Sequence, residues 1–230
     1  MPNLITPVPD PEDAPHEAFA AALTEFVDHP GFPCVGAKAA FHRRNATVRL
    51  YDTLGTPPAA DALGGDLADF VAAVRPDQRF VSFVAMFRGP DIADERHFER
   101  LLWQQLFLLA ERDTEPWSNE VSANPRDDHF GFSFAGSALF VVGLHPRASR
   151  DARRAGSPML VFNPHRQFER LRDEDRYTRM RDVIRRRDEK LQGTINPMVG
   201  DFGRTSEARQ YSGRRVEPDW QAPEPIGDAS

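Results

Sequence analysis

The segment FVSFVAMF (80–87) carries apolar side chains on nearly both faces of an extended chain. Successive side chains on a strand point to opposite faces, so such a strand has to be covered from both sides. The pattern predicts a central strand, buried by the chain's own helices or by a second copy of the chain; a homodimer stays open at this point. Four more segments read as strands. ATVRLYD (46–52) alternates and is rich in β-branched residues. FGFSF (130–134) and SALFVVGLH (137–145), split by Ala135-Gly136, read as a hairpin, and PMLVFN (158–163) completes the set.

Helical spacing fills the gaps between these strands. Phe19, Leu23, Phe26 and Val27 share one face, and the HPG at 29–31 stops that helix. Asp61 is placed to cap a helix with its stripe on Leu63, Leu67, Phe70 and Val71, ended by Arg75-Pro76. The stretch Ile92–Arg112 has an apolar face too wide for a surface helix and is expected to be well buried. The densely charged segment 166–191 keeps a seam of Tyr177, Met180, Ile184 and Leu191, which predicts a solvated helix along the body of the protein. Strands and helices do not alternate regularly. The expected fold is therefore a single α+β domain, with a mixed or antiparallel sheet of about five strands packed by helices. Its limits are expected at 12–220, with flexible segments at 1–11 and 221–230.

Composition narrows the function. With a formal charge of −6 the chain has no global basic field for nucleic acid. No apolar run approaches the ~18 residues of a membrane span, and the N-terminus lacks the pattern of a secretory signal. A single cysteine excludes an internal disulfide and suits a reducing, cytoplasmic setting. Dinucleotide, P-loop, zinc-protease and α/β-hydrolase motifs are all absent from the sequence.

A few residues stand out as candidates for chemistry. Cys34 follows Phe32-Pro33 and precedes a segment able to open a short helix, whose N-terminus would favour a thiolate. It reads either as a small buried hydrophobe or as a thiolate ligand or reactive thiol. His145 and His165 each end a strand beside a proline and lead into arginine-bearing segments. An imidazole in that position suits a metal or a haem iron, or it simply closes the strand. His129 ends the polar loop PWSNEVSANPRDDH (116–129), whose length is often functional. Of 29 basic residues only Lys38 and Lys190 are lysine. Arginine's planar fork suits carboxylate binding, and a compositional bias explains the same excess. SEARQYSGR (206–214) is either a docked tail or a segment that closes over a pocket, supplying a proton donor or a carboxylate clamp.

Four blocks, FPCVGAKAAF, FGFSFAGSALFVVGLHPRASR, LVFNPHRQFERLR and SEARQYSGR, together resemble the YqcI/YcgG family. The nearest likeness is to its branch of haem-dependent N-hydroxylases of arginine-like substrates, and it runs from Phe32 to Trp220. The resemblance implies a haem b, O2, an external electron donor and hydroxylation of a guanidine or amine nitrogen. It implies an axial ligand, for which His145 is the first choice, His165 the second and Cys34 the third. Arg150, Arg153 and Arg154 are expected to face haem propionates or substrate. Glu120, Asp127 and Asp128 are candidate guanidinium partners, and Arg209 and Tyr211 candidate substrate contacts. A haem-binding sensor or carrier without oxygenase activity is the alternative.

Overall fold

The computed structural model describes residues 14–75, 77–173, 176–195 and 206–224. The segment 1–11, the NPMVGDFG stretch (196–203) and residues 225–230 of the expected tail lie outside the described residues. Five strands form one mixed sheet: β1 (Ala46–Thr53), β2 (Ser82–Gly89), β3 (Phe132–Phe134), β4 (Ser137–Leu144) and β5 (Met159–Pro164). Their order is β1-β2-β5-β4-β3, with β1 and β2 parallel and every other neighbour antiparallel. The parallel pair is joined by α3 (Pro57–Ala73), because parallel neighbours need a crossover that a tight turn cannot provide. Between β3 and β4, Ala135 and Gly136 both adopt positive φ, of 49° and 68°, as a two-residue hairpin turn requires.

The two-faced strand is covered as its sequence demands, and by the chain's own elements. On one face Phe83, Ala85 and Phe87 of β2 pack against α3 and α4 (Glu95–Arg112), through Leu63, Leu67, Phe98 and Leu102. On the other, Val84 and Met86 meet Phe19, Phe26 and Val27 of α1 (His16–Asp28). Each of these buried side chains larger than alanine contributes roughly 1.5–3 kcal/mol by leaving water. Also on this second face are α2 (Val35–His42) and the pair α5 (Arg166–Asp173) and α6 (Arg176–Gln192), where one charged helix was expected. The expected cap at Asp61 is corrected: α3 starts earlier, after Thr56, with Pro57 and Pro58 in its first turn. Proline is tolerated there because its missing N–H would have no helical partner anyway. Asp61 instead pairs with Arg112 of α4.

The C-terminal segment docks on β4 through a close approach of two backbones. Gly143 N–H donates to the Tyr211 carbonyl at 2.7 Å. A Cβ on Gly143 would lie 2.8 Å from that oxygen and 2.5 Å from the Phe98 ring. Glycine is required here for space rather than for its backbone angles. The substitution Gly143→Ala is therefore expected to lower stability by roughly 1–3 kcal/mol, the usual range for overpacking. Urea unfolding of the variant beside the parent checks this, and an unchanged midpoint would refute the close approach.

Candidate functional site

The second face of the sheet does not pack solid. Between it and α1, α2, α5 and α6 lies a cavity of about 330 Å³, within the size range of small-molecule and cofactor sites. Strand alternation decides what reaches it. Phe140, Val142 and Leu144 of β4 line the cavity, as do Val161 and Asn163 of β5. His165, just past β5, continues the parity of Val161 and Asn163 and lines it too. Most of the wall surface is apolar, with polar and charged side chains set into it.

Cys34 is one of them. It caps α2, and its Sγ accepts the Ala37 backbone N–H at 3.4 Å. A thiolate gains from that N–H and from the positive end of the helix. A second group is built from residues far apart in sequence. His165 Nε2 lies 2.9 Å from Glu207 Oε1, and since a carboxylate oxygen only accepts, the ring nitrogen donates. Tyr211 Oη donates to the same oxygen at 2.6 Å and accepts from Phe132 N–H at 2.9 Å. Burial, with Glu207 beside it, raises the Tyr211 phenol well above its ordinary range and keeps it a donor. Glu207 belongs to the 3-10 turn Glu207–Gln210 and lines the cavity with His165.

Three arginines line the wall: Arg150, Arg153 and Arg181 of α6. Arg150 is held by Asp188 of α6 and by the Thr194 hydroxyl and carbonyl, so its terminal nitrogens are engaged by protein. Arg153 donates to the Gly143 and Gln210 carbonyls at 2.8 and 3.2 Å. It has no carboxylate within ion-pair distance among the described residues. Burial lowers its guanidinium to about 10, a depression that Cys34 and Asp188 nearby partly offset.

Of the residues singled out in the sequence, Cys34, His165, Arg150, Arg153 and Asp128 line the cavity, and so does His129. The others lie elsewhere. His145, the first choice for a ligand, follows Val141 and Gly143 in parity and so points to the opposite face. Its ring stacks on Phe98 with centroids 4.2 Å apart, and its Nδ1 accepts the Arg147 N–H. Nε2 is buried without a hydrogen-bond partner among the described residues, and His145 is not among the residues that line the cavity. Arg154 bonds Asp151 and the Ala148 carbonyl outside the cavity. Glu120 is exposed on the polar loop. Arg209 grips the Trp220 and Glu217 carbonyls and fastens the chain end. Tyr211 is fully buried behind Glu207 and acts on the cavity only through it. Glu207 stands in the SEARQYSGR block, which the sequence left open between a docked tail and a segment closing over a pocket; its side chain lines the cavity, four residues before Tyr211.

The fold is thus an α+β domain whose sheet carries helices on both faces and a largely apolar cavity under one of them. The YqcI/YcgG family model matches residues 23–224, and the chain belongs to that family. It is 28% identical over 185 residues to the uncharacterized protein YcgG of Bacillus subtilis (strain 168), covering 76% of this chain and 72% of that one. It is 27% identical over 199 residues to a Streptomyces lavendulae protein named "Putative N(omega)-hydroxy-L-arginine synthase DcsA", covering 81% and 72%. No solved structure matches. Among the described residues no helix is long and apolar enough to cross a membrane.

His145 has a consequence for stability. Burial, reinforced by Arg153 and opposed by Asp94, lowers its pKa to about 4 from 6.5. The unfolded chain therefore binds the proton first as pH falls, and stability is lost between about pH 6.5 and pH 4. The loss from this one group is on the order of 3 kcal/mol. His145→Gln, which cannot titrate, is expected to flatten the acid limb of a urea-midpoint against pH curve. An unchanged limb would show that the ring is not held neutral.

Proposed function

We propose that this chain is a haem-dependent oxygenase that hydroxylates a guanidine or amine nitrogen of an arginine-like amino acid. It uses O2 and electrons from an external donor, in a reducing cytoplasmic compartment. The family and the name of the Streptomyces relative support the reaction class. The observation that carries the reading is the cavity itself. Its wall is mainly apolar, and side chains of types that ligate haem iron line it, Cys34, His129 and His165 among them.

Cys34 is the better candidate for the iron. Its sulfur sits at a helix N-terminus and accepts a backbone N–H, whereas His165 Nε2 is already committed to Glu207. Arg153 supplies a buried positive charge on the wall without an ion-paired carboxylate, and its fork suits a propionate or the carboxylate of an amino acid. The haem, when bound, supplies the oxygen-activating chemistry that no side chain has. The protein's own contribution is placement and exclusion. Phe140, Val142 and Val161 keep the space dry, which strengthens every charge interaction inside it. The His165–Glu207–Tyr211 chain holds protons at defined atoms on the same wall.

Purified protein supplied with haemin is expected to show a Soret band and a pyridine-haemochrome spectrum of haem b. With reductant and O2 it is expected to convert L-arginine to a hydroxylated product. A haem spectrum with no turnover of arginine or related amino acids would favour a sensor or carrier, and no haem binding would refute the proposal. Cys34→Ser is expected to move the Soret band, while His145→Ala leaves it in place. The reverse pattern would overturn the ligand assignment.

A further inference from the structure

In a chain this rich in arginine, most carboxylates that approach the interior are met by one. Glu99 and Glu217 pair with Arg214, Asp188 with Arg150, and Asp151 with Arg154. Glu207 is different. Its side chain is only 11% exposed, yet among the described residues no guanidinium or ammonium lies within ion-pair distance of it. Its hydrogen bonds, from Tyr211 Oη and His165 Nε2, both fall on Oε1. Oε2 accepts no hydrogen bond from any described residue, and Glu207 lines the cavity.

The carboxylate is also fixed in place. Tyr211 is wholly buried and anchored at both ends, by Phe132 N–H to its hydroxyl and by Gly143 N–H to its carbonyl. Gly131 leaves room beside Oε1, where a Cβ would come within 3.0 Å. An acid largely covered by protein and fixed through one oxygen, with its other oxygen free of partners among the described residues and beside a cavity, is placed to receive a cationic group. In a mainly apolar pocket such a group binds a cation more strongly than a fully exposed carboxylate does. Asp128, a guanidinium candidate from the sequence that also lines the cavity, lies on an exposed loop and lacks that advantage.

We infer that Glu207 is the receptor for the cationic nitrogen group of the substrate, set in position by Tyr211 and His165. The inference rests on the proposed activity and deepens it by assigning the guanidinium end of the ligand to one side chain. It also sets specificity: a neutral isostere of the guanidinium leaves Glu207 buried and uncompensated. Ligands carrying a urea in place of the guanidinium are therefore rejected.

The test is calorimetric titration of the full-length chain, with and without added haemin, using L-arginine and its neutral urea analogue L-citrulline. The parent protein is expected to prefer arginine by tenfold or more. Glu207→Gln, which keeps shape and hydrogen bonding but removes the charge, is expected to abolish that preference, with an unchanged urea midpoint. Asp128→Asn is expected to keep it. Tyr211→Phe, which removes the orienting bond and the acceptor of the Phe132 N–H, is expected to lower the urea midpoint and to weaken arginine binding less than Glu207→Gln does. A Glu207→Gln protein that still prefers arginine overturns the inference and leaves the proposed activity standing. A parent that binds neither ligand, nor any of a panel of guanidines and amines, overturns both.

Discussion

Much of this molecule depends on where Tyr211 is held. Its ring stacks near Trp103 of α4 and meets Phe140 of β4 edge-on. Its carbonyl takes the Gly143 N–H and its hydroxyl takes the Phe132 N–H, so one residue ties the chain end to two strands and a helix. The hydroxyl proton then goes to Glu207. A buried phenol has to find partners or lose several hydrogen bonds' worth of solvation, and here the partners are backbone and carboxylate. The apolar core and the polar wall of the cavity are thereby held by the same side chain. Packing that stabilises the fold also fixes the direction of the acid.

The sheet divides the labour between its faces. Against α3 and α4, aromatic and leucine side chains pack closely on β2, and His145 is part of that layer, neutral and stacked on Phe98. Against α1, α2, α5 and α6 the layer stands off the strands, and the space left is lined by the alternate residues of β4 and β5. The ion pair between Arg150 and Asp188 ties α6 to the loop after β4. Arg153, whose cationic charge faces carbonyls only, is left available on the wall.

Much of the fold was legible in the sequence, and the reasons are local. All five strands occur where alternation and β-branched runs predict them, and the Ala135-Gly136 hairpin follows from the backbone freedom its turn needs. The start of α3 was misplaced because Asp61 looked like a cap, while Pro57 and Pro58 are the more decisive residues. The site was legible only in part. Cys34, His165, Arg150 and Asp128 do share one cavity, but His145 does not. Parity could have separated the two histidines: His165 continues Val161 and Asn163, whereas His145 continues Val141 and Gly143. What parity could not supply was which face of each strand would hold the cavity.

By itself, then, the sequence determined the elements, their buried stripes and the need for layers on both sides of β2. Those follow from side-chain direction and turn chemistry, which act over a few residues. Only the tertiary structure decided which polar groups meet. His165 reaches Glu207 across 42 positions and Arg150 reaches Asp188 across 38. These meetings exist because β5 inserts between β2 and β4, and because Gly143 lets the chain end approach β4 closely. Contacts of that range are set by sheet order and backbone clearance, which no local pattern encodes.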